Sequence, residues 1–247
     1  MVNFINVEKL LPEVRECLLL YMEEMLKVHN DKILSIFVYG SACGGDYIKG
    51  ISDINSAVVF KQMDFAQLKA SLKRIRVGIK NKITAPLFLT PEYIKSSCDT
   101  FPIEFLEMKE NHILIYGEDF LKNLQIDPVN IRYICEEQLK GKLIRMRQAY
   151  LENGLNEKAI KALMIESLNS LMPIFRGLLR LRGITPPLFK EEVIGLVGDY
   201  FNVGKDTFIA ILKDKKNIEK IHRRKLETLF VDYLEQIKNL AEAADKL

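Results

Sequence analysis

The chain has 247 residues, of which 48% are hydrophobic and 28% charged, and its formal net charge is +3. That length serves one large domain or two small ones, and the composition is that of a packed globular protein rather than a disordered one. No apolar run approaches the roughly 18 residues of a membrane span, and the mild charge argues against a surface that tracks a nucleic-acid backbone.

The N-terminus, Met1-Val-Asn-Phe-Ile-Asn, lacks a basic region and is soon followed by acidic residues, so no secretory signal is expected. Residues 7–29 read as an amphipathic helix, with Val14, Cys17, Leu18, Tyr21, Met25 and Val28 at three- and four-residue spacing. Pro12 suits its first turn, and Asn30-Asp31 ends it. Ile33–Tyr39 reads as a buried strand and Ile54–Phe60 as a second, with Gly44-Gly45 and Gly50 punctuating the loop between them. A helix is predicted over residues 64–78 and a third strand over Ile83–Leu89. Thr90-Pro91-Glu92 starts a helix, with Thr90 as N-cap and Pro91 at the first helical position. Pro102–Met108 and Ile113–Tyr116 read as further strands, and Gly117 closes the mixed α/β part.

From Asp127-Pro128 onward strand signals are nearly absent. Long helices are expected over residues 128–152 and 156–182, the second kinked or split at Pro173. After the connector at 182–187 come helices at about 190–201 and 205–213, then a final one over roughly 219–246. Together these predict an α+β protein: a mixed-sheet domain at residues 1–126 and an all-α helical bundle at residues 127–247. The four cysteines, Cys17, Cys43, Cys98 and Cys135, and the three histidines show no zinc spacing. Free thiols in a reducing cytoplasm are the reading.

The most informative stretch is Phe37–Val59. An apolar run stops at Gly40-Ser41, a Gly-rich turn follows, and Ser52-Asp53-Ile54-Asn55 leads into a second apolar run. The pattern resembles the nucleotide-binding core of the polymerase-beta-type nucleotidyltransferases, including the antibiotic and minimal types with a C-terminal helical domain. In that core a Gly-Ser turn precedes a strand bearing Asp-x-Asp. The resemblance spans residues 30–120. It implies a magnesium-dependent enzyme that moves a nucleoside monophosphate from a nucleoside triphosphate to an acceptor.

Such a transfer places charge on both the attacking and the leaving oxygen, and a pair of divalent ions stabilises both. Magnesium prefers carboxylate and phosphate oxygens, so carboxylates must converge. Residues i and i+2 of a strand face one side, which puts Asp53 and Asn55 toward one pocket. Gly40 and Ser41 would offer backbone N–H groups and a hydroxyl to the phosphates. Asp53, Asn55 and Glu104 are the candidate metal ligands, with Asp53 and Glu104 catalytic. Glu107 is the alternative to Glu104, because on a regular strand only one of the two can face the metal. Asn55 stands where the family carries its second acid. An amide can ligate a metal but brings no charge and cannot act as a base. Asp46, in the loop, is a candidate replacement ligand.

Two functions follow. One is a magnesium-dependent nucleotidyltransferase weakened by Asn55, acting on an acceptor the sequence does not name. The other is a catalytically inactive module of the same fold that binds a nucleotide or a protein. Lys140, Lys142, Arg145 and Arg147 could reach a triphosphate, and Lys213, Lys215, Lys216, Arg223, Arg224 and Lys225 form a solvated face or one wall of a phosphate or nucleic-acid site. The helical ribonucleases paired with minimal nucleotidyltransferases carry an Arg four to six residues before a His; none of His29, His112 and His222 follows an Arg so. The expected setting is cytoplasmic, with a nucleoside triphosphate as ligand, no membrane, no nucleic acid, and homo-oligomerisation left open.

Overall fold

The computed structural model describes residues 2–43, 47, 49 and 52–247. The loop glycines Gly44, Gly45 and Gly50 and the candidate Asp46 lie outside the described residues. The chain divides into two compact units, Met1–Ile126 and Asp127–Leu247.

The first unit opens with a short 3-10 turn, Val7–Lys9, and then α1, Pro12–His29, with Pro12 at its first turn. The strands are β1 (Ile33–Tyr39), β2 (Asn55–Phe60), β3 (Leu87–Leu89) and β4 (His112–Gly117), in the order β3-β2-β1-β4. β1 pairs antiparallel with β2 and β4, and β2 pairs parallel with β3. The sheet is therefore mixed and the fold is α+β.

Strand alternation gives the sheet two apolar faces. Ile36, Val38, Val58 and Phe60 pack with Val14, Leu18, Met22 and Met25 of α1. Phe37, Ala57, Val59 and Leu89 pack on the other face with Ile94, Phe105 and Met108. Ile94 belongs to α3, Pro91–Ser96, whose N-cap Thr90 accepts the Tyr93 N–H. α2, Phe65–Lys80, joins β2 to β3 and is capped reciprocally by Asp64 and Gln67.

Two strand expectations are corrected. Pro102–Met108 is helical: α4 spans Pro102–Glu110. Its apolar residues fit both periods, but Pro102 suits a first helical turn, and Pro102, Phe105 and Met108 recur every third residue and are all buried. The expected strand at Ile83–Leu89 shrinks to a single bridge, Ile54 to Ile83, followed by β3. Pro86 sits between them and has no N–H to donate to a ladder.

In the second unit α5 runs over Pro128–Asn153, with the Asp127 carboxylate accepting the Val129 N–H at 2.9 Å. α6 (Glu157–Leu181) continues through Pro173, although proline removes the bond to the Asn169 carbonyl. α7 (Lys190–Phe201), α8 (Lys205–Lys215) and α9 (Arg223–Ala244) complete it. α9 starts later than expected, because Asp214, though buried, accepts the Ile221 N–H at 2.9 Å and holds the preceding loop. Phe175, Phe208 and Tyr233 stack edge to face in the core, and the Tyr233 hydroxyl meets Ser167 at 2.9 Å. Among the described residues no helix is long and apolar enough to cross a membrane.

Candidate functional site

β1 ends at Tyr39, and Gly40, at φ +76°, turns the chain into a 3-10 turn, Gly40–Cys43. That dihedral favours glycine. A Cβ there would also lie 3.3 Å from the Asn55 side-chain nitrogen, so the missing side chain lets the turn close on Asn55. Register places Asn55 opposite Tyr39, and Tyr39 opposite His112 of β4. Asn55, Tyr39 and His112 thus form a row across one end of the sheet. Asn55 shares its face with Ala57 and Val59, the side on which Phe105 and Met108 of α4 pack.

On the β3 side the row ends at Thr84. Its backbone N–H donates to the Ile54 carbonyl at 3.1 Å. Its hydroxyl is shared between that carbonyl, at 3.2 Å, and the Asn55 Oδ1, at 3.1 Å. The side-chain oxygen of Asn55 therefore accepts one hydrogen bond, and its amide brings no charge to a cation. The segment beside it, residues 83–89, is Ile-Thr-Ala-Pro-Leu-Phe-Leu and contains no acid.

Asp53 is exposed, just ahead of β2. Glu104 is exposed and sits in the first turn of α4, not on a strand; Glu107 is half-buried. Because α4 is a helix, Glu104 and Glu107 are i, i+3 neighbours on adjacent positions rather than on opposite faces. Among the described residues no three His, Cys, Asp or Glu side chains gather into a possible cation cage. The described donors do not fit a two-ion magnesium site: the expected second carboxylate is an amide bonded to Thr84, and among the described residues no three acidic, His or Cys side chains gather around it.

The other side of the row holds groups that sequence reasoning passed over. His112 Nε2 meets Asp119 Oδ2 at 3.2 Å, and the other Asp119 oxygen accepts the Leu121 and Lys122 N–H groups, both at 3.0 Å. The Phe37 ring stands edge-on to His112 at 5.6 Å. Burial raises the Tyr39 hydroxyl above its ordinary pKa, and burial pushes the Cys43 thiol up to about 12. Cys43 donates to the Val38 carbonyl at 3.1 Å and acts as a filler beneath the turn. Alternation within Phe37–Tyr39 and His112–Leu114 is the one sequence signal that could have aligned Tyr39 with His112. Thr84 carried none, lying 29 residues from Asn55.

Several cations of the helical unit are engaged within it. Lys140 pairs with Glu136, and Lys142 reaches the Ser170 hydroxyl at 2.6 Å. Lys213 pairs with Glu219, Lys216 with Glu191 and Arg223 with Glu157. Lys215 donates to the Asn169 side chain at 2.7 Å.

Comparison with protein-family models gives no match, and neither does comparison with curated proteins. Among solved structures the fold recurs in a nucleotidyltransferase. That structure is spectinomycin adenyltransferase AAD(9) from Enterococcus faecialis with ATP and spectinomycin, at a TM-score of 0.56 and 14% identity, covering 89% of this chain and 98% of that one. At this identity the likeness establishes a shared fold.

Proposed function

We propose that this chain is a nucleotidyltransferase-fold protein that binds a nucleoside triphosphate without transferring the nucleotidyl group. The phosphates would lie on the Gly40–Cys43 turn, against its backbone N–H groups and the Ser41 hydroxyl, as anions do in concave backbone turns. The observation that carries the reading is Asn55. Its side chain is placed by Gly40 on one side and by the Thr84 hydroxyl on the other, so it serves the architecture of the sheet end. The fold shared with an adenyltransferase solved with ATP supports the nucleotide half of the proposal.

The runner-up is nucleotidyl transfer to a small acceptor, favoured by Asp53 at the entry to β2 and by the same likeness. Calorimetry with ATP, with and without magnesium, and mass spectrometry of the products separate the two. Binding that needs no magnesium, with no pyrophosphate released, is expected. Asp53→Asn is then expected to leave ATP affinity unchanged or raise it, because a carboxylate beside phosphates repels them without an intervening cation. Pyrophosphate release, or loss of binding in Asp53→Asn, overturns the proposal in favour of transfer.

A further inference from the structure

α2 packs against its unit through a strip of small and polar residues instead of its large apolar ones. Its buried residues are Gln67, Ser71 and Gly78. Gly78 lies against the Tyr21 ring so closely that a Cβ would come within 2.7 Å of it. The Ser71 hydroxyl donates to the Gln67 carbonyl and meets His29 Nε2, both at 2.8 Å, so this polar inner face is satisfied. Beside this strip runs an exposed apolar stripe: Phe65, Leu68, Leu72 and Ile79 are 76%, 45%, 64% and 60% exposed. Ile75 continues the spacing at three, four, three and four, but it is half-buried and packs against the core shared with α1, so the exposed part of the run is Phe65, Leu68, Leu72 and Ile79.

That spacing is the a/d seam of a heptad, the pattern that a second helix packs against. Lys69 and Arg76 then fall at the e positions, where pairing helices choose their partners by charge. Lys73 and Lys80 stand next to them, and α2 contains no Asp or Glu. Among the described residues none of these four cations is held in an ion pair. Two copies meeting antiparallel through this seam would set e position against e position, cation against cation. An acidic flank would complement these cations instead.

We propose that the outer face of α2 docks an acidic amphipathic helix of a partner protein. Its apolar seam would cover Phe65, Leu68, Leu72 and Ile79, and its Asp or Glu residues would face Lys69 and Arg76.

Two labelled helical peptides of about three heptads test this, with the same Leu/Ile seam and either Glu or Lys at the flanking positions. Fluorescence anisotropy is read with the full chain. The Glu peptide is expected to bind and to weaken at least about tenfold from low salt to about 0.3 M, as screening shortens the reach of the charges. Leu72→Gln is expected to weaken it by about tenfold through lost apolar burial. The double variant Lys69→Glu, Arg76→Glu is expected to prefer the Lys peptide. All three changes are on exposed side chains, and circular dichroism checks that the variants stay folded. Equal binding of both peptides, or of neither, overturns the proposal. So does binding to phosphatidylserine vesicles without binding to the Glu peptide, or a dimer in light scattering that Leu72→Gln abolishes.

Discussion

Replacing Gly40 by alanine tests both the architecture of the sheet end and the proposed phosphate turn. Gly40 holds φ at +76°, a conformation that costs an L-residue about 1–2 kcal/mol. Stiffening of the unfolded chain returns about 0.4–1 kcal/mol. The new Cβ would sit 3.3 Å from the Asn55 side-chain nitrogen. That is close enough to push the amide aside and loosen its bond from Thr84, worth about 1 kcal/mol. The expected net loss is about 1–2.5 kcal/mol, read as a lower urea midpoint at unchanged slope. ATP affinity should fall in the same variant, measured by calorimetry, because the turn's N–H groups shift with the backbone. A variant as stable as the parent, with unchanged ATP affinity, would refute both the strain argument and the placement of the phosphates.

Gly195 supplies the opposite case: it lies inside α7, and a methyl group added there would meet nothing within 4 Å, so Gly195→Ala should gain about 0.5–1 kcal/mol in the same urea titration. Asn55→Asp should restore a carboxylate without restoring transfer, since residues 83–89 supply no acid beside it; pyrophosphate release by this single variant would contradict the proposed function. His29 is buried, and burial, followed by the charge of Lys32, holds its pKa below the ordinary value. The unfolded chain therefore takes up the proton first, and stability present above about pH 6.5 is lost as the pH falls below it. His29→Gln should flatten that acid limb in urea titrations run from neutral to mildly acidic pH, and an unchanged slope would refute it. Burial holds the Cys43 and Cys135 thiols up to about 12, so iodoacetamide at about pH 8, near the ordinary thiol pKa, should label them slowly in the native protein and rapidly in denaturant, as mass spectrometry of the peptides would show.

Where the signal was local, the sequence was legible. Thr90 before Pro91, Asp127 before Pro128, and the apolar runs on either side of Gly40 each act over a few residues, and each sits at the element end expected of it. The segment Pro102–Met108 was not legible, because its apolar residues satisfy a period of two and a period of three at once. Burial of Pro102, Phe105 and Met108 on one side of α4 settled it as helix. That one change moves Glu104 from a strand beside the candidate site to an exposed helical turn.

By itself the sequence determined β1, β2 and β4, the Gly40 turn and the amide at position 55. These follow from caps, proline and glycine placement, and periodicity, all of which operate between near neighbours. Only the tertiary structure decided what surrounds Asn55: Tyr39 opposite it, Thr84 bonded to it, and no acid on the adjoining segment. It also decided that α2 packs through Gln67, Ser71 and Gly78 and leaves its apolar stripe outside. The physical reason is the same in both cases. Strand register and the choice of buried helix face depend on hydrogen bonds and close contacts between residues tens of positions apart, such as Thr84 with Asn55 and Gly78 with Tyr21.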